Sequence, residues 1–446
     1  MAHVVMFVTS DLVHDNRVRR EAEKLAEAGY RVTVFSYIAP EAVSRLGWEG
    51  RAGLNAVAVE QPSWLKPDQV ESRAAKSRAG GGVGGVSGAA GGALGRLRRT
   101  AALSASQVRW GGSHALAETA RDAQADVYHA HDLDTLAVAS WMARRHPAHL
   151  VYDAHELFLD QMDLGPAQSR ALSGEAISLS RAKQFRQRLL RSNYARLERD
   201  LIGQADAVIT VSGSIADELV HRYRIANPVL VLNCPRYQDM SAGSDYLRQR
   251  LGLQPATRII LSQGAVLPAR GQVELVQSLA LLPEEYRLVF LGFNLGTFQE
   301  RIRQEIAHLG LHSRVHLLDA LPPEQFPEAT ASADVGIILL ADLNKNHRFA
   351  MPNKLFEYMM AGLPFVANDL PEISRVVKQT GAGVTIGQIT PAAIAEGVQE
   401  ALGDPARHRG MRAAGLSAAH TKYNWSQQAQ ALLGLYARLC ERHGTT

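Results

Sequence analysis

VVMFVTSDLVHDNRVRREAEKLAEAGYRVTVFS, residues 4–36, opens the chain as strand, helix and strand. Residues 4–8 form an unbroken apolar run, which suits a buried strand. Residues 15–28 read as a helix, and Gly29 ends it. Residues 31–36 return to a strand. Two strands joined by a helix imply a parallel sheet.

The same alternation runs outward from this unit. Residues 125–129, 150–154, 207–211 and 229–232 continue the first series of short strands. A second series follows at 258–262, 287–291, 314–317, 335–340 and 364–367. The fold class expected is α/β, with two Rossmann-like, doubly wound parallel-sheet domains facing a central crevice. Asn233, Pro235 and Gly243 punctuate the junction. The expected division is 1–240, 241–424 and a terminal helix in 425–446 that packs back on the first domain. Within the first domain, residues 80–99 are rich in Gly, Ala and Ser and end in arginines. They hold too few large side chains to offset ordering entropy, and read as a mobile excursion.

Composition narrows the function classes. The chain has 446 residues, 46% apolar and 21% charged, which fits a globular protein of more than one domain. A formal net charge of +4 on this length does not point to nucleic acid as the main partner. The two cysteines, Cys234 and Cys440, fit neither a metal site nor a disulfide framework and read as reduced thiols. The start MAHVVMFVTSD is too short for a signal peptide or a span, and no later stretch reaches spanning length without charge. A cytoplasmic protein, not integral to a membrane, is expected. Residues 181–199 carry seven Lys/Arg against one Glu, with Phe185, Leu189, Leu190 and Leu197 between them. Such a helix either faces an anionic membrane or packs its apolar stripe on its own domain.

Four segments carry candidate chemistry. In 351–364, MPNKLFEYMMAGLP, Pro352 suits the first turn of a helix that Gly362 stops. The amides of that turn point out at the carboxyl end of the sheet, where a diphosphate is stabilised. Asn353, Lys354 and Leu355 lie in this turn; Lys354 adds charge, and Glu357, one turn on, reaches ribose hydroxyls. The bland alternative for Glu357 is a surface carboxylate. In SQGAVLPARG, 262–271, Gly264 permits a close turn and Arg270 precedes a helix, placing a guanidinium at the crevice edge. Leu321, in the loop after the third strand of the second series, is placed on the nucleotide side. The chain has no Walker A loop and no GxGxxG fingerprint.

In the first domain, HAHDLD (129–134) and DAHE (153–156) occupy two strand ends. His155 and Glu156 are read as groups that position hydroxyls or move protons, and His131 and Asp132 as acceptor contacts. Side chains alternating along a strand end would send His129, His131 and Asp132 to opposite faces, so no metal is expected. Asp132 and Asp134 form a DxD string that carries little weight here. Asp15 and Arg17 contact an acceptor, or simply cap and begin the first helix; the cap is preferred.

With these residues in place, the chain resembles glycosyltransferase family 4, retaining GT-B enzymes. MPNKLFEYMMAGLPFVAND looks like its donor segment, QGAVLPARG like its diphosphate loop, and VYDAHELF like a hallmark near the reaction centre. DAVITVSGSIADEL and VLVLNCP look like the end of its first domain. The resemblance implies transfer of a hexose-type sugar from a nucleotide-sugar donor to a glycan, lipid-linked or small-molecule acceptor, without cofactor or metal. It implies ribose binding by Glu357, diphosphate binding by Arg270, and a place for His155 beside the bond exchanged. The family's first glutamate would fall at Phe349, and the first of its basic pair near Gly264. A catalytically silent GT-B subunit, a GT-B epimerase or phosphorylase, and a membrane-binding protein without activity are the rivals.

Overall fold

The computed structural model of the chain describes residues 1–60, 113–162, 181–295 and 298–441, with the side chains of 181–183 left aside. Residues 80–99, read above as an excursion, lie outside these. Thirteen strands among the described residues fall into two sheets, in each of which every paired strand is parallel.

The first sheet contains β1 (His3–Val8), β2 (Arg31–Ser36), β3 (Leu54–Ala58), β4 (Val127–His131), β5 (His149–Ala154), β6 (Ala207–Thr210) and β7 (Val229–Leu230), in the order β3-β2-β1-β4-β5-β6-β7. The second contains β8 (Arg258–Gln263), β9 (Tyr286–Leu291), β10 (Val315–Leu318), β11 (Val335–Ile338), β12 (Phe365–Asn368) and β13 (Gly383–Ile386), in the order β10-β9-β8-β11-β12-β13. Strand order reverses between β1 and β4, and between β8 and β11. Loops leaving adjacent strands at such a reversal diverge and leave a crevice at the carboxyl edge.

Two strands, β3 and β13, escape the sequence reading, because 54–58 and 383–386 are short and are interrupted by Asn55 in one and by Gly383 and Thr385 in the other. The strand expected at 125–129 runs two residues later, since Asp126 instead meets the amide of His3. β7 keeps only two residues of the run 229–232.

Apolar side chains cover both faces of each sheet. Helix Trp425–Glu441 lays Trp425, Ala429, Leu432, Leu435, Tyr436 and Leu439 on one face of the first sheet, against Val4, Met6, Val127 and Val151. The terminal helix thus completes a core begun more than 400 residues earlier. Cys234 and Cys440 are both free.

Leu432 is fully buried there, whereas Leu281 is 56% exposed. Leu432→Ala should therefore destabilise the chain by about 2–5 kcal/mol, and Leu281→Ala by no more than about 0.5 kcal/mol. Urea unfolding of the two variants checks this; equal effects would remove the terminal helix from the first domain's core.

Candidate functional site

The second sheet builds one wall at its order reversal. After β8, Gly264 turns with φ +100°, and the loop re-enters helix Gln272–Leu279 through Gly271, φ +59°. A Cβ on Gly271 would lie 2.7 Å from Ile389 and 2.9 Å from Leu339, so only glycine passes here. The adjacent loop, after β11, ends at helix Asn353–Met360. Pro352 is its cap residue, not a residue of its first turn, with φ −68° and ψ 137°.

Gly264, Arg270, Pro352, Asn353, Lys354 and Glu357 meet around a cavity of about 590 Å³. Burial lowers Lys354 to about 8, with the charge of Arg270 second, and burial also lowers Arg270. Neither has a carboxylate within ion-pair distance among the described residues. Two half-buried cations side by side without such a partner form a place for an anion. Glu357 is raised by burial, opposed mainly by Lys354, and accepts a 2.6 Å hydrogen bond from Gln263 Nε2. Beyond Glu357 lies a second cavity, about 530 Å³, lined by Leu321, Phe326, Gln263, Arg20 and Arg236. The side chain of Leu355 turns into the core, and its amide donates to the Pro352 carbonyl, so this residue does not face the cavity.

The first sheet supplies the opposite wall, where His155 and Glu156 follow β5 and line the same 590 Å³ cavity. His155 is clamped between carboxylates: Nδ1 lies 3.1 Å from Asp132 and Nε2 3.0 Å from Asp153. Burial opposes its charge, but Asp132 and Asp153 hold it well above the usual imidazole range. Asp153 is held well below the carboxylate range despite burial, by Arg17 first and His155 next. Burial raises Glu156 to about 7, with Asp132 adding to it.

Three expected acceptor contacts are placed differently. Arg17 is buried, and its guanidinium binds both oxygens of Asp153 at 2.9 Å and the Val231 carbonyl at 2.7 Å. His131 is 1% exposed, and its Nδ1 lies 3.2 Å from His155 Nε2. Asp132 adopts φ 62° and directs its carboxylate to the amide and ring of His155. All three support His155 from behind. Asp15 caps helix Asn16–Glu27 through Val18 N and also lines a third cavity, about 550 Å³, with Ser10, Asp11, His14 and His155. The geometric reason against a metal is also corrected. His129 and His131, two apart, share one face and stack with centroids 4.1 Å apart; Asp132 begins the next helix.

Contacts between the domains run through the loop after β11 and through Glu372, which accepts from the Ser214 amide at 2.6 Å. Asn346 accepts from the Leu157 amide at 3.0 Å and donates to Glu156 at 3.3 Å. The Phe349 carbonyl accepts from Ser212 Oγ at 3.0 Å, while its ring packs on the first domain's core. Sequence reading missed Asn346, Gln263 and the anchoring role of Asp153. Only Asp153 had a local signal, its place at the end of β5 beside His155.

A model of group 1 glycosyl transferases matches residues 244–417, and one of glycosyltransferase family 4 matches residues 15–235. Between them they span most of the chain, with the crevice at their junction. The chain belongs to glycosyltransferase family 4. It is similar to the D-inositol 3-phosphate glycosyltransferase of Xylanimonas cellulosilytica, 29% identical over 256 residues, 55% of this chain and 60% of that protein. The enzyme of the same name from Nocardia farcinica is 27% identical over 265 residues, 55% of this chain and 56% of its own. The chain thus spans little more than half the length of these relatives. Among solved structures, sucrose-phosphate synthase from Thermosynechococcus elongatus superposes with a TM-score of 0.68 at 14% identity, covering 99% of this chain and 100% of that one. The Anabaena protein HepE, in complex with UDP and glucose, gives 0.67 at 15% identity, covering 98% and 100%. These likenesses show the GT-B fold.

The clamp predicts a pH signature. The His155 contribution to stability is complete below its unfolded pKa, about 6.5, and is lost as pH rises through the raised folded value. The Asp153 contribution is complete above about 3.9 and lost as pH falls through its depressed folded value. Asp132→Asn should lower stability by about 1–2 kcal/mol near pH 6, allowing for the partial exposure of Asp132. The deficit should narrow as pH rises and His155 discharges. Denaturant unfolding from about pH 6 to 10 tests this; a constant deficit would mean that Asp132 does not hold an imidazolium.

Proposed function

We propose that the chain is a retaining glycosyltransferase that moves a hexose-type sugar from a nucleotide-sugar donor to an acceptor hydroxyl, in cell-surface glycan or glycoconjugate biosynthesis. The observation that carries this is Arg270 and Lys354, cations without a carboxylate partner among the described residues, gathered with Glu357 around one interdomain cavity. Family membership and the glycosyltransferase names of the relatives support it.

In this reading residues 1–240 bind the acceptor, 241–424 the donor, and 425–446 tie the two together. Arg270, Lys354 and the amides of Asn353 and Lys354 receive the diphosphate, with Gly264 allowing close approach. Glu357 accepts hydrogen bonds from the ribose, and the base rests against Leu321 in the adjoining cavity. His155 and Glu156 face the transferred sugar, and Asp15 the acceptor. The anomeric C–O bond to phosphate breaks while the acceptor oxygen attacks from the same face. The acceptor proton passes to the leaving phosphate, whose charge Arg270 and Lys354 stabilise. No metal or cofactor enters these steps. The acceptor is a hydroxyl of a glycan, a lipid-linked sugar or a small polyol, the last class in line with the inositol phosphate in the relatives' names.

No helix among the described residues is long and apolar enough to cross a membrane. We place the protein in the cytoplasm, at the periphery of the inner membrane face. Helix Arg181–Leu201 supports this by exposing Phe185, Arg186 and Arg188 while burying Tyr194. A silent subunit is the second reading. It rests on Phe349, which packs across the domains where the resemblance implies a sugar-binding glutamate. Donor turnover by the purified chain alone excludes it.

A thermal-shift screen against UDP, GDP, ADP, dTDP and CMP identifies the donor class. With that donor, Glu357→Ala should weaken binding about 10- to 100-fold. Unchanged affinity in the folded variant would defeat the ribose assignment. Arg270→Ala should lower kcat about 100-fold or more through lost stabilisation of the leaving phosphate. Turnover that uses the Glu156 carboxylate should fall as pH drops below about 7, and Glu156→Gln should abolish that limb.

A further inference from the structure

Behind the His155 clamp lies a second cluster that the reaction above does not use. Glu21 on helix Asn16–Glu27, His129 and His131 on β4, and Asp153 on β5 each bring one ligand atom within 4.8 Å of all the others. All four side chains are buried, none more than 1% exposed. The Nε2 atoms of His129 and His131 and both carboxylate oxygens of Glu21 lack a hydrogen-bond partner. The one ion pair of Glu21 is with Arg17 Nε, at 3.1 Å from Oε1. A buried polar atom without a partner costs about 1–3 kcal/mol, so an occupant bound by these three side chains would stabilise the fold.

The outer atoms of the same rings are engaged. His129 Nδ1 lies 2.7 Å from the Tyr436 hydroxyl. His131 Nδ1 lies 3.4 Å from Asp153 Oδ2. In the tautomer whose Nδ1–H donates outward, to the Tyr436 oxygen from His129 and to Asp153 from His131, each Nε2 presents a lone pair, the arrangement found around metal-bound histidines. The charges also allow a cation. Three carboxylates, Glu21, Asp153 and Asp132, face Arg17 and His155.

We infer that Glu21, His129 and His131, with Asp153 behind them, form a buried site for one divalent transition-metal ion of the zinc class. Two imidazoles and a carboxylate suit zinc better than calcium or magnesium, which prefer oxygen ligands throughout. Arg17 holds Asp153 in a bidentate grip, so Asp153 serves mainly to orient His131, and Glu21 Oε2 remains for the ion. The ion's role is structural. It joins the first helix to β4 and, through Tyr436, to the terminal helix, beneath the floor that carries His155. It lies outside the three crevice cavities, whose walls contain none of the three ligands.

The test uses the full chain, stripped with chelator and dialysed into metal-free buffer, then titrated with ZnCl₂ and separately with CoCl₂. Expected are about one bound zinc per chain by elemental analysis, a rise in Tm on adding zinc, and visible Co(II) absorption of a low-coordinate N/O site. His129→Gln and Glu21→Gln should each abolish the Tm rise. Tyr436→Phe keeps the ring in the core and should weaken zinc about tenfold by removing the hydroxyl that orients His129. The wild-type cobalt spectrum does not depend on any variant folding. No uptake of zinc or cobalt by the folded, stripped chain would overturn the site in favour of a buried water or a protonated Glu21. Uptake that survives both Gln substitutions would overturn it equally, by locating the metal elsewhere.

Discussion

The buried pair between Arg17 and Asp153 is the contact on which the first domain's half of the crevice depends. The two residues are 136 positions apart, and each is nearly inaccessible to water. Either charge left alone in that setting would cost several kcal/mol. Together they pin the first helix to the end of β5, and the guanidinium reaches on to the Val231 carbonyl after β7. Asp153 then has an oxygen left for His155, and Asp132 supplies the second grip. The crevice histidine is thus a cation by construction, not a base waiting for a proton.

The opposite wall works by a complementary rule. There the charges are half-buried without an ion pair among the described residues, and desolvation depresses them. Lys354 and Arg270 illustrate this, while the nearby Glu357 is occupied by Gln263. One wall is electrostatically closed and the other open. Strand order places these two cations at the reversal between β8 and β11.

Much of this architecture was legible in the sequence, because period and punctuation are local. Unbroken apolar runs and the glycines after helices gave the alternation of strands and helices. They failed where a strand is short and mixed, as at β3 and β13. The second domain's wall was legible too, since its glycines, Pro352 and Lys354 sit at fixed offsets from strand ends. The first domain's wall was not. Whether Arg17 faces the crevice or Asp153 depends on a partner 136 residues away, and no local pattern encodes that. His131 was misread for a related reason: its strand runs two residues further than expected, and so buries it. The shared face of His129 and His131 was available from the two-residue period of a strand and was overlooked.

Phe349 has a consequence for the timing of any reaction in the crevice. Its ring belongs to the second domain by sequence but packs, partly buried, against the first domain's core. Parting the domains must pull that ring into water, at about 1–2 kcal/mol for a partly buried aromatic, and must also break the bond from Ser212. The same loop carries Asn346, whose amide holds Glu156 and the Leu157 backbone. Parting the domains would also break the Lys345–Glu218 pair and the bond from the Ser214 amide to Glu372, so the ring is one part of a mixed latch. A chain with glutamate at this position would have a polar hinge; this one has a door that closes by itself.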